Sequence, residues 1–492
     1  MANGAFSIAF NLLLAVGLVC TACVIRVAWR RKTHYASSFV SLCTPPDTGV
    51  LLREADMQGA DIDTHSNRKP RGPALTLAQL VRDKVPALGP AAQFNGVWWL
   101  PGKFLELPDG GVVAVDITPP FSSDPIRDNE NVLVVAHGLT GGSHEAYVRA
   151  VLSKVTPSSE AGGLGFRAVV LNFRGCNGSP VVTPRLYHAG SSDDIRHVVL
   201  WISATFPACR IYGLGFSLGA NILAKYAGEE GDACPLQGLV TLANPWNFVE
   251  GSHFLPSRFL GRHVYRFALG GALRALLRLH RRPFLDAVSL PGVPHSVLSD
   301  VLWRRSITLR MYDELITAPL YGFASAYDYY AKISSSRLVP ALRVPCLAIN
   351  SGDDPITGVQ SLPIEQAVGQ AWADVTVPCP TLRLLEQVPH SPFLVLAVTK
   401  TGGHLGWFEH TEDGRIRRWY VQPVVEFLTA LVEYGLPERK KPDVVRLGAG
   451  LVRQEGREDV GYRELSPGDE SGLVAASGAE ESESETKLFA GW

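Results

Sequence analysis

The chain has 492 residues, of which 46% are hydrophobic and 19% are charged, and its formal net charge is −1. A length of this order allows two or three domains, and a charge balance this even excludes nucleic acid as the main partner. The eight cysteines are scattered along the chain, which favours a reducing compartment and predicts neither a zinc site nor a disulfide framework.

The N-terminal region contains an uncharged run of 21 residues, 5–25, followed by Arg26, Arg30, Arg31 and Lys32. At about 1.5 Å per residue, a helix of this length crosses the hydrocarbon core of a bilayer. The basic residues follow the run rather than precede it, which favours an uncleaved anchor over a signal peptide. We therefore expect one span in the endoplasmic reticulum or a related membrane, and the positive-inside rule places the rest of the chain in the cytosol.

Residues 26–102 are predicted to form a linker and N-terminal extension, with one helix near residues 75–84. A folded domain is expected over residues 103–435, beginning with a hairpin around the turn Pro-Asp-Gly-Gly at 108–111. Apolar runs and amphipathic stretches then alternate: strands at 132–136, 168–172, 211–214, 239–243, 346–350 and 393–399, and helices from 143 and at 192–206, 220–226 and 419–431. This alternation predicts an α/β fold with a mostly parallel, doubly wound sheet.

The alternation lapses at about residues 246–342, which predicts a helical cap inserted over the sheet. Four arginines in this region recur at multiples of four and so share one helical face: Arg262, Arg266, Arg274 and Arg278. Such a face suits contact with an anionic membrane surface or entry of an acyl chain, and a solvated cap helix explains it equally well.

The C-terminal segment, residues 437–492, is charged and rich in Gly and Ser, and it ends in alternating acid and serine residues. Segments of this composition bury too little apolar surface to fold. We expect a disordered acidic tail with a regulatory role.

One Gly-x-Ser-x-Gly pentapeptide centred on Ser217 lies between a predicted strand and a predicted helix. Gly215 and Gly219 permit the strained turn that such a junction requires, and the turn exposes the hydroxyl at the edge of the sheet. The backbone NH of Leu218 then faces the oxygen that becomes negative when the serine attacks a carbonyl. An ordinary Gly-rich turn is the alternative, because the pentapeptide alone is common by chance.

A serine nucleophile needs a base and an acid that orients the base, and both should follow later strands of the sheet. Asp354 is the favoured acid because it directly precedes a Pro-Ile turn, and Asp353 is its alternative. His404 is the favoured base because it lies in a Gly-Gly-His-Leu-Gly loop directly after a strand. His390 and His410 are the other candidates.

A second oxyanion donor is expected from the loop His-Gly-Leu-Thr-Gly-Gly, residues 137–142, which follows an early central strand. Backbone donors need close approach of the main chain, and glycine allows it. We assign the NH of Leu139 to this role, supported by His137 and Gly138, although the glycines alone also suit a simple turn.

Seven motifs occur in the order HGLTGGS, NFRGCNGS, YHAGSSDD, GFSLGAN, TAPLYGF, DDPI and GGHLG. With them, residues 103–435 resemble the membrane-anchored α/β-hydrolase family that includes fungal medium-chain fatty-acid ethyl ester synthase/esterases and mammalian lipid hydrolases. The resemblance implies an α/β-hydrolase fold, a triad of Ser217, Asp354 and His404, a lipid or fatty-acyl ester substrate, and neither metal nor organic cofactor.

The family also carries a His-x4-Asp element that has been proposed for acyl transfer, and His188 and Asp193 match it. We interpret the pair as structural, since a carboxylate in the first turn of a helix is favoured by the helix dipole. A sequon at Asn177 bears on topology, because a glycan there would place the domain in the lumen.

Together these observations predict a membrane serine hydrolase that cleaves carboxylic esters of medium or long acyl chains, as an esterase or as an acylglycerol or phospholipid lipase. One alternative is an alcohol O-acyltransferase that makes fatty-acid esters from acyl-CoA. The other is a catalytically silent membrane scaffold that uses the cap and the acidic tail.

Overall fold

The computed structural model describes residues 51–52, 75–76, 102–364, 391–410, 416–433, 437–466 and 469, and the chain divides into two compact units, residues 1–96 and 97–492. In the first unit, Leu51–Leu52 pairs antiparallel with Leu75–Thr76, so the helix predicted near residues 75–84 is wrong at its start. The predicted anchor at residues 5–25 lies outside the described residues. Within the described ranges, no helix has the length and apolarity needed to cross a membrane.

The second unit is built on a sheet of eleven strands. Its first eight strands, in chain order, are β1 (Lys103–Glu106), β2 (Val112–Thr118), β3 (Asn131–Ala136), β4 (Arg167–Asn172), β5 (Arg210–Phe216), β6 (Leu236–Leu242), β7 (Cys346–Ser351) and β8 (Leu394–Thr399). They lie side by side in the order β1-β2-β4-β3-β5-β6-β7-β8. Strands β3 to β8 are all parallel, while β1 and β2 form an antiparallel hairpin, so the predicted mostly parallel sheet is confirmed.

Both faces of this sheet are covered. Helices α1 (Ala146–Val155) and α11 (Val421–Glu433) pack on one face, and α2 (Ser192–Thr205) and α3 (Leu218–Glu230) pack on the other. Along β3, Leu133 and Val135 contact the first layer while Val132, Val134 and Ala136 contact the second. Since alternate side chains of a strand face opposite sides, coverage of both faces explains why this strand is apolar throughout.

Helices replace strands between β6 and β7, in the segment predicted as a cap. The cap contains α4 (Phe248–Ser257), α5 (Arg266–Leu279), α6 (Arg281–Asp286), α7 (His295–Trp303), α8 (Leu309–Tyr312), α9 (Ala318–Leu320) and α10 (Ala326–Ile333). Two π-helical turns, Gly261–Tyr265 and Asp313–Thr317, precede α5 and α9. A 3-10 helix, Ser335–Ala341, leads back to the sheet.

The predicted basic face of the cap helix is not free of protein contacts. The guanidinium of Arg274 donates to the carbonyl oxygen of Arg304, and that of Arg278 lies 5.3 Å from the ring centre of Trp303. This side of α5 therefore packs against residues 303–308. The four arginines do not form one solvated face, because Arg274 and Arg278 contact other parts of the cap. The α-helical part begins at Arg266, and Arg262 lies in the π-helical turn that runs directly into it.

The prediction of disorder beyond residue 437 is wrong for residues 437–466. Strands β11 (Val444–Arg446), β12 (Leu451–Gln454) and β13 (Arg457–Glu464) form an antiparallel meander, and β13 pairs with β1. Three apolar side chains spaced along a charged segment, Val452, Val460 and Tyr462, are buried in the main core, and this burial stabilises the strands. The folded domain therefore extends past residue 435, to residue 466.

Candidate active site

The turn between β5 and α3 holds Ser217 in a strained backbone conformation, with φ of 49° and ψ of −117°. The two flanking glycines make this turn possible. A Cβ atom on Gly215 would lie 2.4 Å from Cα of Ala220, and one on Gly219 would lie 2.3 Å from the carbonyl oxygen of Ala136. The hydroxyl of Ser217 is thereby fixed at the carboxyl edge of the sheet, where the sequence predicted it.

Three predicted residues that are distant in the sequence meet at this edge. Oγ of Ser217 lies 2.7 Å from Nε2 of His404, and Nδ1 of His404 lies 2.7 Å from Oδ2 of Asp354. Ser217 follows β5, His404 follows β8 and Asp354 follows β7. The carboxyl ends of parallel strands lie at the same edge of a sheet, so the three residues meet there. A hydroxyl, an imidazole and a carboxylate in this chain of contacts have the geometry of a nucleophile, its base and an orienting acid.

The environment of Asp354 favours its charged form. Its Oδ1 accepts hydrogen bonds from the backbone NH groups of Ile356 at 2.8 Å and Thr357 at 3.2 Å. Burial acts to raise the pKa of Asp354, but the charge and hydrogen bond of His404 together with the two NH groups leave the pKa below its usual value. The carboxylate is therefore ionised at neutral pH and can hold the imidazole in one orientation.

The alternative acid and bases occupy other positions. Oδ1 of Asp353 accepts a hydrogen bond from the NH of Gly403 at 2.7 Å, so it contacts the loop of His404 rather than the imidazole. His410 ends the short strand β9 (Phe408–His410), which pairs with β10 (Ile416–Arg418). His390 lies outside the described residues.

The loop after β3 is held by His137. Its ring is buried, with Nδ1 donating to the carbonyl oxygen of Gly138 at 2.7 Å and Nε2 accepting from the NH of Phe173 at 3.3 Å. Burial lowers the pKa of His137 to about 4, so the ring is neutral and serves as a structural link. The NH of Gly138 donates to the hydroxyl of Tyr147 at 3.0 Å, which fixes the start of the loop.

The two amides predicted as oxyanion donors lie beside the nucleophile. Leu139 and Leu218 line the same cavity as Ser217, and among the described residues neither backbone NH has a protein acceptor. The next residue, Thr140, has a φ of 54° and donates its NH to the hydroxyl of Tyr187 at 2.7 Å. Loop and helix terminus thus present two unsatisfied donors, which suits the stabilisation of a negative oxygen.

A buried polar cluster behind this loop escaped the sequence prediction. Oγ of Ser143 donates to Oδ2 of Asp116 at 2.5 Å, and Nδ2 of Asn172 donates to the same oxygen at 2.8 Å. Burial raises the pKa of Asp116 to about 6, although these hydrogen bonds oppose the rise. One sequence feature pointed to this cluster: Ser143 belongs to the motif HGLTGGS and Asn172 to the motif NFRGCNGS, and neither residue had an assigned role there.

The sequon residue Asn177 belongs to the same cluster. Its Nδ2, the atom that would carry a glycan, donates to Oγ of Ser143 at 3.0 Å and to Oδ1 of Asn172 at 3.1 Å. Its Oδ1 lies 2.9 Å from Nδ1 of His144. A glycan at Asn177 therefore requires these contacts to break, which removes the sequon as an argument for a lumenal domain.

His188 and Asp193 have separate surroundings. The ring of His188 packs against Tyr321 with centroids 4.3 Å apart, and burial lowers its pKa to about 3. Asp193 is exposed in the first turn of α2 and pairs with Arg196 at 2.6 Å. His188 also lines the cavity that contains Ser217, so the structural interpretation of the pair stays a prediction.

A cavity of about 750 Å³ extends from the nucleophile into the cap. Most of its lining is apolar, including Leu255, Leu269, Leu273, Leu276, Phe284 and Ile316. Two acids interrupt this lining, the half-buried Glu145 and the buried Asp313. Burial raises the pKa of Glu145, near the nucleophile, to about 7 against the opposing charge of Arg418. Burial also raises the pKa of Asp313 to about 7, although the hydroxyl of Tyr330 donates to it at 2.6 Å.

The chain is similar in sequence to known proteins. Residues 131–394 match the family model of the alpha/beta hydrolase fold. The chain is 34% identical over 326 residues to a monoacylglycerol lipase of Saccharomyces cerevisiae, a match that covers 66% of this chain and 64% of that protein. It is 30% identical to the medium-chain fatty acid ethyl ester synthase/esterase 2 of the same yeast, over 61% of this chain and 62% of that protein.

A mouse relative, phospholipase ABHD3 of Mus musculus, is 26% identical over 66% of this chain and 72% of its own length. The chain thus spans less than two thirds of the two yeast relatives. The family model covers more than half of this chain. The chain belongs to the α/β-hydrolase family.

Proposed function

We propose that the protein is a serine hydrolase that cleaves carboxylic esters of medium- or long-chain acyl groups. The observation that carries this proposal is the contact of 2.7 Å between Oγ of Ser217 and Nε2 of His404 at the wall of a large apolar cavity. A nucleophile beside its base, with an acyl-sized apolar space in front of it, suits attack on the carbonyl of a lipid ester.

The proposed reaction has two halves. His404 takes the proton of Ser217 as Oγ attacks the ester carbonyl, and the NH groups of Leu139 and Leu218 stabilise the negative oxygen. The carbon–oxygen bond to the alcohol then breaks, and His404 gives its proton to the departing alcohol. Water, deprotonated by His404, attacks the acyl-enzyme; the bond between the acyl carbon and Oγ of Ser217 breaks, the acid leaves, and His404 returns the proton to Oγ. Asp354 keeps the imidazole in position throughout.

The lining of the cavity supports an acyl substrate. Each methylene group that moves from water into an apolar site contributes about 0.8 kcal/mol, so the cavity favours long chains over acetate. The names of the yeast and mouse relatives point to lipid esters as well. An acylglycerol or a phospholipid is therefore the proposed substrate class.

Acyl transfer to an alcohol is the second candidate, favoured by the relative described as an ethyl ester synthase/esterase. The same acyl-enzyme makes an ester when an alcohol replaces water. Adding ethanol to the purified protein separates the two reactions: a hydrolase keeps releasing free acid, whereas a transferase forms ethyl ester at the expense of free acid.

We also propose that residues 5–25 anchor the protein in an endomembrane with the catalytic domain in the cytosol. The support is the uncharged run and the basic residues that follow it. Protease digestion of sealed microsomes tests the orientation: a cytosolic domain is digested without detergent, and protection of the domain would contradict the proposal.

The decisive experiment measures ester cleavage by Ser217→Ala protein on a panel of acylglycerols and phospholipids. We expect loss of at least about 10³-fold in kcat and no labelling by a fluorophosphonate probe. Ser252→Ala is the matched control, since Ser252 lines the same cavity and its hydroxyl donates to the carbonyl oxygen of Val249 at 2.7 Å. Equal activity of the Ser217→Ala and wild-type proteins would refute Ser217 as the nucleophile, and a wild-type protein inactive on the whole panel would leave the scaffold role.

A further inference from the structure

The cap has a strong excess of positive charge. Residues 251–311 include ten arginines and two carboxylates, Asp286 and Asp300. Asp300 is paired with Arg304 at 2.8 Å. Those arginines that are exposed, among them Arg258 and Arg262, attract anionic lipid headgroups, with about 1 kcal/mol for each basic residue near the bilayer.

Apolar side chains are exposed at the junction of α4 and α5. Phe259 is 77% exposed, Leu260 51% and Val264 44%. They lie in and beside the π-helical turn Gly261–Tyr265, and we call residues 258–265 the cap turn. Adjacent exposed apolar side chains of this size mark an interaction site rather than ordinary surface.

The cap turn also carries cations and packs closely on the end of α4. Nε of Arg262 donates to the carbonyl oxygen of Pro256 at 2.9 Å, and Arg258 lies 5.4 Å from the ring centre of Phe254. A Cβ atom on Gly261 would lie 1.8 Å from the carbonyl oxygen of Leu255, so the turn packs closely on α4. Apolar and basic side chains are therefore presented together on a fixed element.

One end of the active-site cavity lies beside the cap turn, because Pro256 and Arg266, which flank the cap turn, both line the cavity, and we call this end its mouth. Arg274 contacts Arg304, and a Cβ on Gly270 would lie 2.4 Å from the carbonyl carbon of Thr308, so residues 304–308 run antiparallel to α5. If the same antiparallel course continues for one more helical turn along α5, Met311 lies level with Arg266. Both of these residues line the cavity, and Met311 is exposed, so the cavity reaches the surface here.

We propose that the cap turn docks on a bilayer that contains anionic lipid and so places the cavity mouth against the membrane. Phe259, Leu260 and Val264 enter the boundary between headgroups and acyl chains, while Arg258 and Arg262 contact lipid phosphates. Use of this contact to pass an acyl chain from the bilayer to Ser217 rests on the proposed hydrolase function, whereas the docking itself does not.

Lipid suits this surface better than an acidic protein does. The exposed apolar side chains follow Leu255 and Pro256 of the cavity lining in the sequence, and a bilayer supplies both apolar chains and phosphates. An acidic protein would pair with the arginines but would leave the exposed apolar side chains in water.

The test measures backbone hydrogen exchange of the full-length protein reconstituted in phosphatidylcholine vesicles with and without phosphatidylserine. We expect peptides of the cap turn to exchange about tenfold more slowly when phosphatidylserine is present, with no change in the β1–β2 hairpin. Replacement of Phe259 and Leu260 by Ser, or of Arg258 and Arg262 by Glu, should abolish the difference. Equal exchange in the two kinds of vesicle would overturn the proposal.

The matched control is Ile126→Ser, because Ile126 is an apolar residue that is 48% exposed outside the cap. It should leave the protection unchanged, and loss of protection with this variant would also count against docking through the cap turn. Hydrolysis of a water-soluble short-chain ester, together with thermal unfolding, verifies that the cap-turn variants are folded. Because exchange is read without turnover, a wild-type protein that cleaves no ester would refute the hydrolase function and leave the docking result intact.

Discussion

Asp353 accepts a hydrogen bond from the backbone NH of Gly403 at 2.7 Å, so the acid beside Asp354 fixes the loop that carries His404. The two neighbouring carboxylates thus both help to orient the imidazole of His404. One contacts the ring, and the other contacts the main chain next to it.

This division predicts different outcomes for equivalent substitutions. Asp354→Asn should lower kcat by about 10³–10⁴-fold, because an amide in place of the carboxylate favours the wrong tautomer of His404. Asp353→Asn should change kcat by less than about threefold, since its side-chain oxygen still accepts the NH of Gly403, whereas Asp353→Ala should cost about tenfold. Steady-state kinetics on one ester substrate decide, and equal losses for the two Asn variants would contradict the assignment.

The glycines of the serine turn predict a contrast in stability. Gly219→Ala should lower the free energy of unfolding by about 1–3 kcal/mol or more, because the new Cβ meets the carbonyl oxygen of Ala136. Gly271→Ala in α5 is the control, since a Cβ there meets no atom within 4 Å. It should stabilise the protein by up to about 1 kcal/mol, and denaturant unfolding measures both. A stable Gly219→Ala protein would show that the turn tolerates a side chain.

Asp313 predicts a dependence of stability on pH. Burial raises its pKa to about 7 in the folded protein from an ordinary value of 3.8, so between these pH values the unfolded chain has released a proton that the folded protein still holds. Stability is therefore lost as the pH rises through this window. Asp313→Asn removes this loss, so the melting temperature of the variant relative to wild type should be higher at pH 7 than at pH 4. A difference that is the same at both values would contradict the raised pKa.

The C-terminal meander predicts a sharp boundary for truncation. Removal of residues 467–492 should leave the melting temperature unchanged. Removal of residues 437–492 should destabilise the domain, because it exposes β1 and breaks the hydrogen bond of 3.0 Å from Nε1 of Trp201 to Oε2 of Glu464. Thermal unfolding and solubility of the two truncated proteins compare these outcomes, and similar behaviour of both would mean that the meander is dispensable.

Much of the site was predictable because its residues follow strands in fixed motifs. Ser217, Asp354 and His404 each lie directly after an apolar run, and parallel strands bring such positions to one edge. The cluster of Asp116, Ser143 and Asn172 could not be found in this way. Its members are scattered along the sequence, and only the pairing of β2 with β4 brings the first and the last of them together.

The C-terminal strands and the cap were less predictable for another reason. In β11 to β13 a few apolar residues lie among many charges, so composition points to disorder, and the strands gain their stability from the edge of a sheet formed far earlier in the chain. In the cap, the arginine periodicity identified a helix but not the π-helical turn before it. Gly261 packs closely on Leu255 at that turn, and periodicity carries no information about such a contact.

The pairing of β13 with β1 has a consequence for biosynthesis. Glu106 and Arg463 are 357 positions apart, and Nε of Arg463 donates to Oε2 of Glu106 at 2.6 Å. Strand β1 therefore cannot pair with β13 until almost the whole chain has left the ribosome. Until then, the edge strand β1 of the β1–β2 hairpin has unpaired backbone NH and carbonyl groups. Unpaired edge strands of this kind promote aggregation of nascent chains. Chaperone demand should therefore peak late in translation, and expression yield should respond more to changes near residue 460 than to changes in the cap.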